Sequence, residues 1–243
     1  MIPVYYDLHI HTALSPCADD DMTPNDIVGM ALLNGLDLIA VTDHNSLANA
    51  GAVIAAATTA RTEPGKGLIV LPGIEVSTAE EVHILCLFSD LETASGFEAE
   101  LAPSFSRLSN RVDIFGAQLL YDGNDCVTGE MERMLIAPAT ISFDKLYHLT
   151  QKHGGAFVPA HVDRDSFSAI SNLGFLPPHL DITTVEVTPR GMENGYDRHN
   201  AGLFPKSKVI SSSDAHQLGA ISEKKRLLTL PERTGKAAID FLR

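Results

Sequence analysis

The chain has 243 residues, of which 44% are hydrophobic, enough for one sizeable core and most simply for a single domain over residues 1–243. A formal net charge of −13 counts against a protein that grips long nucleic acid by general electrostatics. Acidic groups that bind divalent ions are less negative once loaded, so a short or monomeric phosphate substrate is not excluded.

The first residues, "MIPVYYDLHIHT", have no basic start and meet a histidine early, so no signal peptide is expected. No apolar run reaches the length of a membrane span. The cysteines Cys17, Cys86 and Cys126 are widely spaced and form no CxxC, which fits a reducing cytoplasm.

"IPVYYDLHI" reads as a strand. Thr23-Pro24 then supplies an N-cap and a first-turn proline, "NDIVGMALLNG" continues at helical spacing, and Gly35 closes that helix. "LDLIAVTDH" reads as a strand buried on both faces, and "SLANAGAVIAAATTAR" as an Ala-rich helix. "GLIVLPGIEVS" and "VHILCLF" are further strands. From about 89 to 139 the pattern turns polar, with a turn at "YDGNDCVTG", and is expected to be a mainly helical insertion that caps the scaffold. "SFDKLYHLTQKHGG" is a helix capped by Ser142 and stopped at Gly154. "AFVPAH", "LDITTVEV" and "KVISSSDAH" are strands, "RLLTL" is a short edge strand, and "PERTGKAAIDFLR" is a terminal helix. Alternation of this kind predicts a parallel sheet covered by helices. Neither a dinucleotide-binding nor a P-loop signature follows any strand.

Histidines and carboxylates fall at strand ends. His9 and His11 end the first strand, Asp43-His44 the second, Glu75 the third, His161 "AFVPAH", and Asp214 with His216 "KVISSSDAH". His83 opens its strand instead. In a parallel α/β barrel the C-terminal strand ends form one face, which carries the site. Residues i and i+2 on a strand point the same way, so His9 and His11 can reach one ion, and Asp214 and His216 repeat the spacing. Imidazole nitrogen mixed with carboxylate oxygen suits Zn, Mn or Fe. Each residue alone also reads as an ordinary strand-end polar group, a loop carboxylate or, for His83, a satisfied core histidine. Their coincidence at one face favours a shared metal site. His148, His153, His179 and His199 are assigned no role.

The motifs "DLHIHT", "VTDHN", "PGIEVS", "VHIL", "PAHVDR" and "SSDAH" resemble those of the PHP (polymerase and histidinol phosphatase) domain family, from the start of the chain to about His216. The resemblance implies an α/β fold, a distorted (β/α)7 barrel, with two or three divalent ions at its mouth. It implies His9, His11, Glu75 and Asp214 around a first ion. Glu75 would bridge to a second ion held by His83 and His161, and His44 and His216 would hold a third with one ligand from the loop after His11. Counting forward from the HxH places that ligand near Pro16-Cys17, and counting back from the Thr-Pro helix start places it at Asp19. Asp19 offers a hard oxygen and is preferred, with Asp21 and Cys17 behind it. Asp20 and Asp21 also read as loop charges favouring the next helix N-terminus.

Several divalent ions close together make a hydrolytic centre, with a metal-bridging hydroxide held at Glu75 as nucleophile. Asp43 is expected to orient a ligand. Arg164 and Arg190 follow strand ends and are candidate phosphate-binding residues, ahead of Arg133 and the run Glu223–Arg226. The expected function is a metal-dependent phosphoesterase acting on a nucleotide or another small phosphorylated metabolite. The alternatives are an exonuclease on short RNA or DNA ends, a metal-dependent C–N hydrolase, and a non-enzymatic metal-binding module. No membrane partner is expected.

Overall fold

The computed structural model describes residues 1–60 and 67–243. The chain opens with β1 (Ile2–Ile10), whose second half is buried on both faces. Thr23 caps α1 (Pro24–Leu33) by accepting the Asp26 backbone N–H, with Pro24 in the first turn, and Gly35 follows at φ +74. Next come β2 (Leu38–Val41), α2 (Ala50–Thr59), β3 (Ile69–Ser77) and β4 (His83–Leu87). Arg61, the last residue of the expected Ala-rich helix, lies outside the described residues. The stretch from about 89 to 139 holds α3 (Leu91–Leu101) and α4 (Val112–Phe115). In addition to these helices it carries a hairpin of β5 (Leu119–Tyr121) and β6 (Val127–Glu130). It is tied to the loop after β2: Asn45 Nδ2 donates to the Leu135 carbonyl at 2.7 Å, and Arg133 donates to the Asn45 carbonyl at 2.9 Å.

The remaining elements are α5 (Phe143–Lys152), β7 (Ala156–Pro159), α6 (Ala169–Leu173), β8 (Thr184–Glu186), α7 (Pro189–Glu193), α8 (Tyr196–His199), β9 (Lys208–Ile210), β10 (Leu227–Leu230) and α9 (Gly235–Leu242). The main sheet has the order β10-β1-β2-β3-β4-β7. β1, β2 and β3 are parallel, as the alternating pattern predicts. The expectation of a parallel sheet throughout is corrected at β4, which is antiparallel to both β3 and β7, and at β10, which is antiparallel to β1. A short β3–β4 connection rules out a crossover helix, so the chain must turn back on itself there.

The curled sheet closes through β8 and β9. Val162, just past β7, donates to the Glu186 carbonyl at the end of β8. β8 pairs with β9 in parallel, and a bridge from Ile10 to Ala215 returns to β1. The ring β1, β2, β3, β4, β7, β8 and β9 is a distorted (β/α)7 barrel, with β10 on the outside edge of β1.

Side chains sort into two apolar layers. Val4, Tyr6, Leu8, Leu38, Ala40, Leu71, Leu85 and Val158 fill the inside, where α9 adds Ala238, Ile239 and Leu242. Ile10, Ile39, Val41, Ile74, Ile84 and Cys86 belong to the outer layer with α1 and α2 residues such as Ile27 and Val53. β1 changes parity between these layers. Asp7 pairs with Ile39, yet Ile10 pairs with Val41, so three steps on β1 match two on β2. This bulge keeps Leu8 in the inner core and still turns His9 and His11 to the mouth. No helix among the described residues is long and apolar enough to cross a membrane.

Candidate metal centre

The strand ends converge on Glu75, which is buried. His83 Nδ1 and His161 Nε2 lie 2.9 and 3.2 Å from its Oε1, and His9 Nε2 lies 3.3 Å from the same oxygen. His44 Nδ1 and His11 Nε2 lie 3.0 and 3.3 Å from its Oε2. Asp214 Oδ1 is 3.1 Å from His9 Nε2, 3.3 Å from His11 Nε2 and 3.6 Å from His216 Nδ1. Three groups of donor atoms are each compact enough for one ion: His9, His11 and Asp214; His11, His44 and His216; His44, Glu75 and His83. His161 is adjacent to the last group through Glu75. His11 and His44 each belong to two groups, a sharing that strand-end position alone does not predict.

The outer hydrogen bonds fix how the rings present themselves. His9 Nδ1 lies 2.9 Å from Glu186 Oε2; a carboxylate only accepts, so Nδ1 carries the proton and Nε2 faces the cluster. The Ser15 hydroxyl donates to Asp43 Oδ1 at 2.8 Å and so accepts from His11 Nδ1 at 2.9 Å. His216 Nδ1 donates to the Asp214 carbonyl at 2.9 Å. With Nδ1 protonated on both rings, His9 Nε2 and His11 Nε2 meet at 3.2 Å, a contact stable only across a shared proton or cation. Two like charges about 4 Å apart repel by about 4 kcal/mol even at an effective dielectric of 20, so this arrangement depends on the carboxylates between the rings.

The pKa shifts follow that logic. Burial pushes the Glu75 carboxyl up, but His83, His9 and His44 outweigh it and hold the group well below its ordinary value. Asp214 is likewise pulled down by His9 and His11 against its burial. Burial pushes the His9, His11 and His44 rings down, and their carboxylate neighbours reverse this. His9 ends well above its ordinary value, and His11 and His44 are each raised to about 9. For His216 burial wins, aided by the His11 ring, and its pKa falls to about 4. His83 is also lowered, chiefly by burial.

The donor set fits divalent ions. Among the described residues Glu75 Oε2 and Asp214 Oδ1 are buried oxygens with no hydrogen-bond partner, and their neighbours are imidazole nitrogens. The backbone is strained at the same place. His161, Asp214, Asn45 and Phe167 all have positive φ, at 31°, 54°, 47° and 55°. Each such non-glycine residue costs on the order of 1–3 kcal/mol, and such strain clusters at working sites.

Asp43 is buried and bonds to Thr12 and Ser15, touching His11 through the serine rather than directly. Burial raises its pKa. Arg164 meets Asp214 Oδ2 at 2.5 Å, and Arg164 and Arg190 together line a cleft of about 610 Å³ with Asp163, Thr188, Asn194 and Tyr196. Asp163 holds the start of α7 in place by accepting the Thr188 backbone N–H at 2.8 Å, which positions Arg190.

The loop after His11 is less decisive. Asp19 is exposed, its carboxylate joins none of the three groups, and its backbone N–H donates to the His216 carbonyl at 2.8 Å. Cys17 is exposed, with its thiol against the His44 ring. Asp20 and Asp21 are exposed. Arg133 stacks over the Phe105 ring, 4.2 Å from its centroid. Glu186 and Ser15 carry no local sequence signal for the roles they take here. Glu186 shares the strand-end position that marks Glu75, but no adjacent histidine draws attention to it.

The profile of the PHP domain matches residues 7–172. The 5'-3' exoribonuclease Rnm of Escherichia coli (strain K12) is 31% identical over 150 residues, which cover 55% of this chain and 48% of that protein. The chain spans about half the length of the curated relatives it matches. The lesion-specific endonuclease of Pyrococcus furiosus superposes with a TM-score of 0.65 at 16% identity, over 98% of this chain and 55% of that one. PsfC of Pseudomonas syringae superposes with a TM-score of 0.59 at 17% identity, over 98% of this chain and 88% of that one. At these identities the likeness is one of fold.

Proposed function

The chain belongs to the PHP domain family of metal-dependent phosphoesterases, and we propose that it hydrolyses a phosphate monoester of a nucleotide or small metabolite. The observation that carries this reading is Arg164, which meets the metal-site carboxylate Asp214 and shares a cleft with Arg190. A guanidinium on a metal-site carboxylate, with a second in the adjoining cleft, suits a phosphate better than a neutral amide.

In this reading His9, His11, Glu75 and Asp214 would hold one divalent ion, and Glu75, His83 and His161 a second. His44 and His216 would hold a third, with Asp19 brought in from its exposed loop as the remaining ligand. Bound ions supply positive charge to the phosphoryl oxygens and lower the pKa of water. Glu186 and the Asp43–Ser15 pair keep the Nε2 atoms of His9 and His11 aimed inward. Arg190 binds a phosphate oxygen. Arg164 neutralises the outer oxygen of Asp214 and presents its remaining N–H groups to the substrate.

The second reading is cleavage at short RNA or DNA ends, favoured by the exoribonuclease name of the curated relative. Protein stripped with EDTA should be inactive, and Mn²⁺ should restore hydrolysis of glycerol phosphate or of a nucleoside monophosphate. His9→Ala and Asp214→Ala should abolish it. Activity that survives EDTA or either substitution would sink the proposal. Faster release from a 5'-phosphorylated dinucleotide than from the monophosphate would select the second reading.

A further inference from the structure

The loop after β7 spans the histidine cluster. At one end Arg164 reaches Asp214, and farther along Phe167 lays its ring on His83, with centroids 4.9 Å apart and planes 26° from parallel. Among the described residues, no other phenylalanine or tyrosine ring is in contact with a histidine of the cluster. Phe167 is nevertheless 46% exposed, so much of its ring remains open to solvent beside the site.

The fold alone does not account for this side chain. Its backbone sits at φ +55, in the region that favours glycine. The Phe167 carbonyl accepts the His83 backbone N–H at 3.0 Å, which explains the turn of the chain, but any residue would supply that carbonyl. Glycine would relieve the backbone, and a polar side chain would remove the exposed apolar surface. The ring is left to be explained by something that binds it. The position narrows what that is. A group that stacks on Phe167 is bonded to, or next to, whatever occupies the metal centre, while the Arg164 guanidinium meets Asp214 at the other end of the loop. A flat aromatic base linked to a phosphate matches that juxtaposition, because every base offers a π face to an aromatic shelf.

We propose that Phe167 is the stacking platform for the base of a nucleotide whose phosphate lies at the metal centre, so that the substrate is nucleotidic rather than a simple sugar or glycerol phosphate. This deepens the phosphoesterase reading and rests on it.

The test uses the full chain loaded with Mn²⁺ and two non-hydrolysable probes, the methylenephosphonate analogues of a nucleoside 5'-monophosphate and of ribose 5-phosphate. Calorimetric titration should show the base-bearing probe binding roughly tenfold tighter or more, the range expected for one stacked base. That ratio should fall to about one in Phe167→Ala and Phe167→Leu and persist in Phe167→Tyr. Metal content is measured in each variant; if Phe167→Ala loses metal, the Leu and Tyr variants carry the comparison. Equal binding of the two probes by the wild-type protein overturns the proposal. So does a preference that survives Phe167→Leu, which would make the ring an apolar shield for His83. Neither result touches metal-dependent hydrolysis, whose failure is read separately by the EDTA and Mn²⁺ experiment.

Discussion

His83 begins its strand, yet its Nδ1 lies 2.9 Å from Oε1 of Glu75, which sits near the far end of the neighbouring strand. The two meet because β4 runs antiparallel to β3, with Ser77 paired to His83 and Glu75 to Leu85. The start of β4 therefore belongs to the same rim as the ends of β1, β2, β3 and β7. Among the described residues, Glu75 is the one carboxylate shared by the His9, His11, His44, His83 and His161 rings. Glu75→Gln should leave those rings without their common counter-charge. We expect metal content, read by elemental analysis, to fall by more than in a variant of any single histidine.

Glu186 is a positioning residue for His9. Glu186→Gln keeps the shape but lets the amide present a donor to Nδ1, so the ring's tautomer is no longer fixed. Metal affinity, measured by chelator competition, should fall roughly 10–100-fold while the melting temperature of the loaded protein changes little. Ser15→Ala should act in the same direction through His11.

The metal-free protein should show a characteristic pH response. The ordinary imidazole value is 6.5, and His11 and His44 are raised to about 9. A raised folded-state pKa contributes stability that is fully present below 6.5 and lost as pH rises through about 9. Glu75 and Asp214 are depressed, so their contribution is present above the ordinary carboxylate value and lost as pH falls through the folded one. Thermal unfolding of EDTA-treated protein should therefore give a lower melting temperature at pH 9 than at pH 6.5. Metal binding must displace the imidazole protons, so affinity should rise over the same interval. A melting temperature that rises with pH would contradict the arrangement of charges.

The loop ligand is separable by substitution. Asp19→Asn should lower the number of ions bound, and Cys17→Ser should not. Cobalt-loaded wild-type protein should lack the sulfur-to-metal charge-transfer band that a Cys17 thiolate ligand would produce. The presence of that band would move the assignment to Cys17.

The thiols should react unequally. Cys86 is buried in the outer apolar layer, and burial pushes its thiol up to about 12. Cys17 and Cys126 are exposed. A disulfide reagent added to native protein should titrate these two and leave Cys86 until denaturant is added.

What the amino-acid order determined by itself is local. Strand and helix periods, the Thr23, Ser142 and Gly35 boundaries, and the placing of His9, His11, His44, Glu75 and His161 at or just past strand ends all rest on neighbours within a few residues; Asp214 and His216 lie beyond β9, which ends at Ile210, and reach the rim through the Ala215 bridge to Ile10. The motifs were likewise legible because each is short. What only the tertiary structure decided is pairing between distant segments. The direction of β4 explains His83. The extra residue in β1 turns His9 inward without displacing Leu8. The contact between His9 and Glu186 joins residues 177 positions apart. The lie of the loop after His11 depends on the backbone bond from Asp19 to His216, again across most of the chain. Such contacts leave no periodic trace in the sequence, because hydrogen bonds between strands constrain the backbone rather than the identity of the side chains that ride on it.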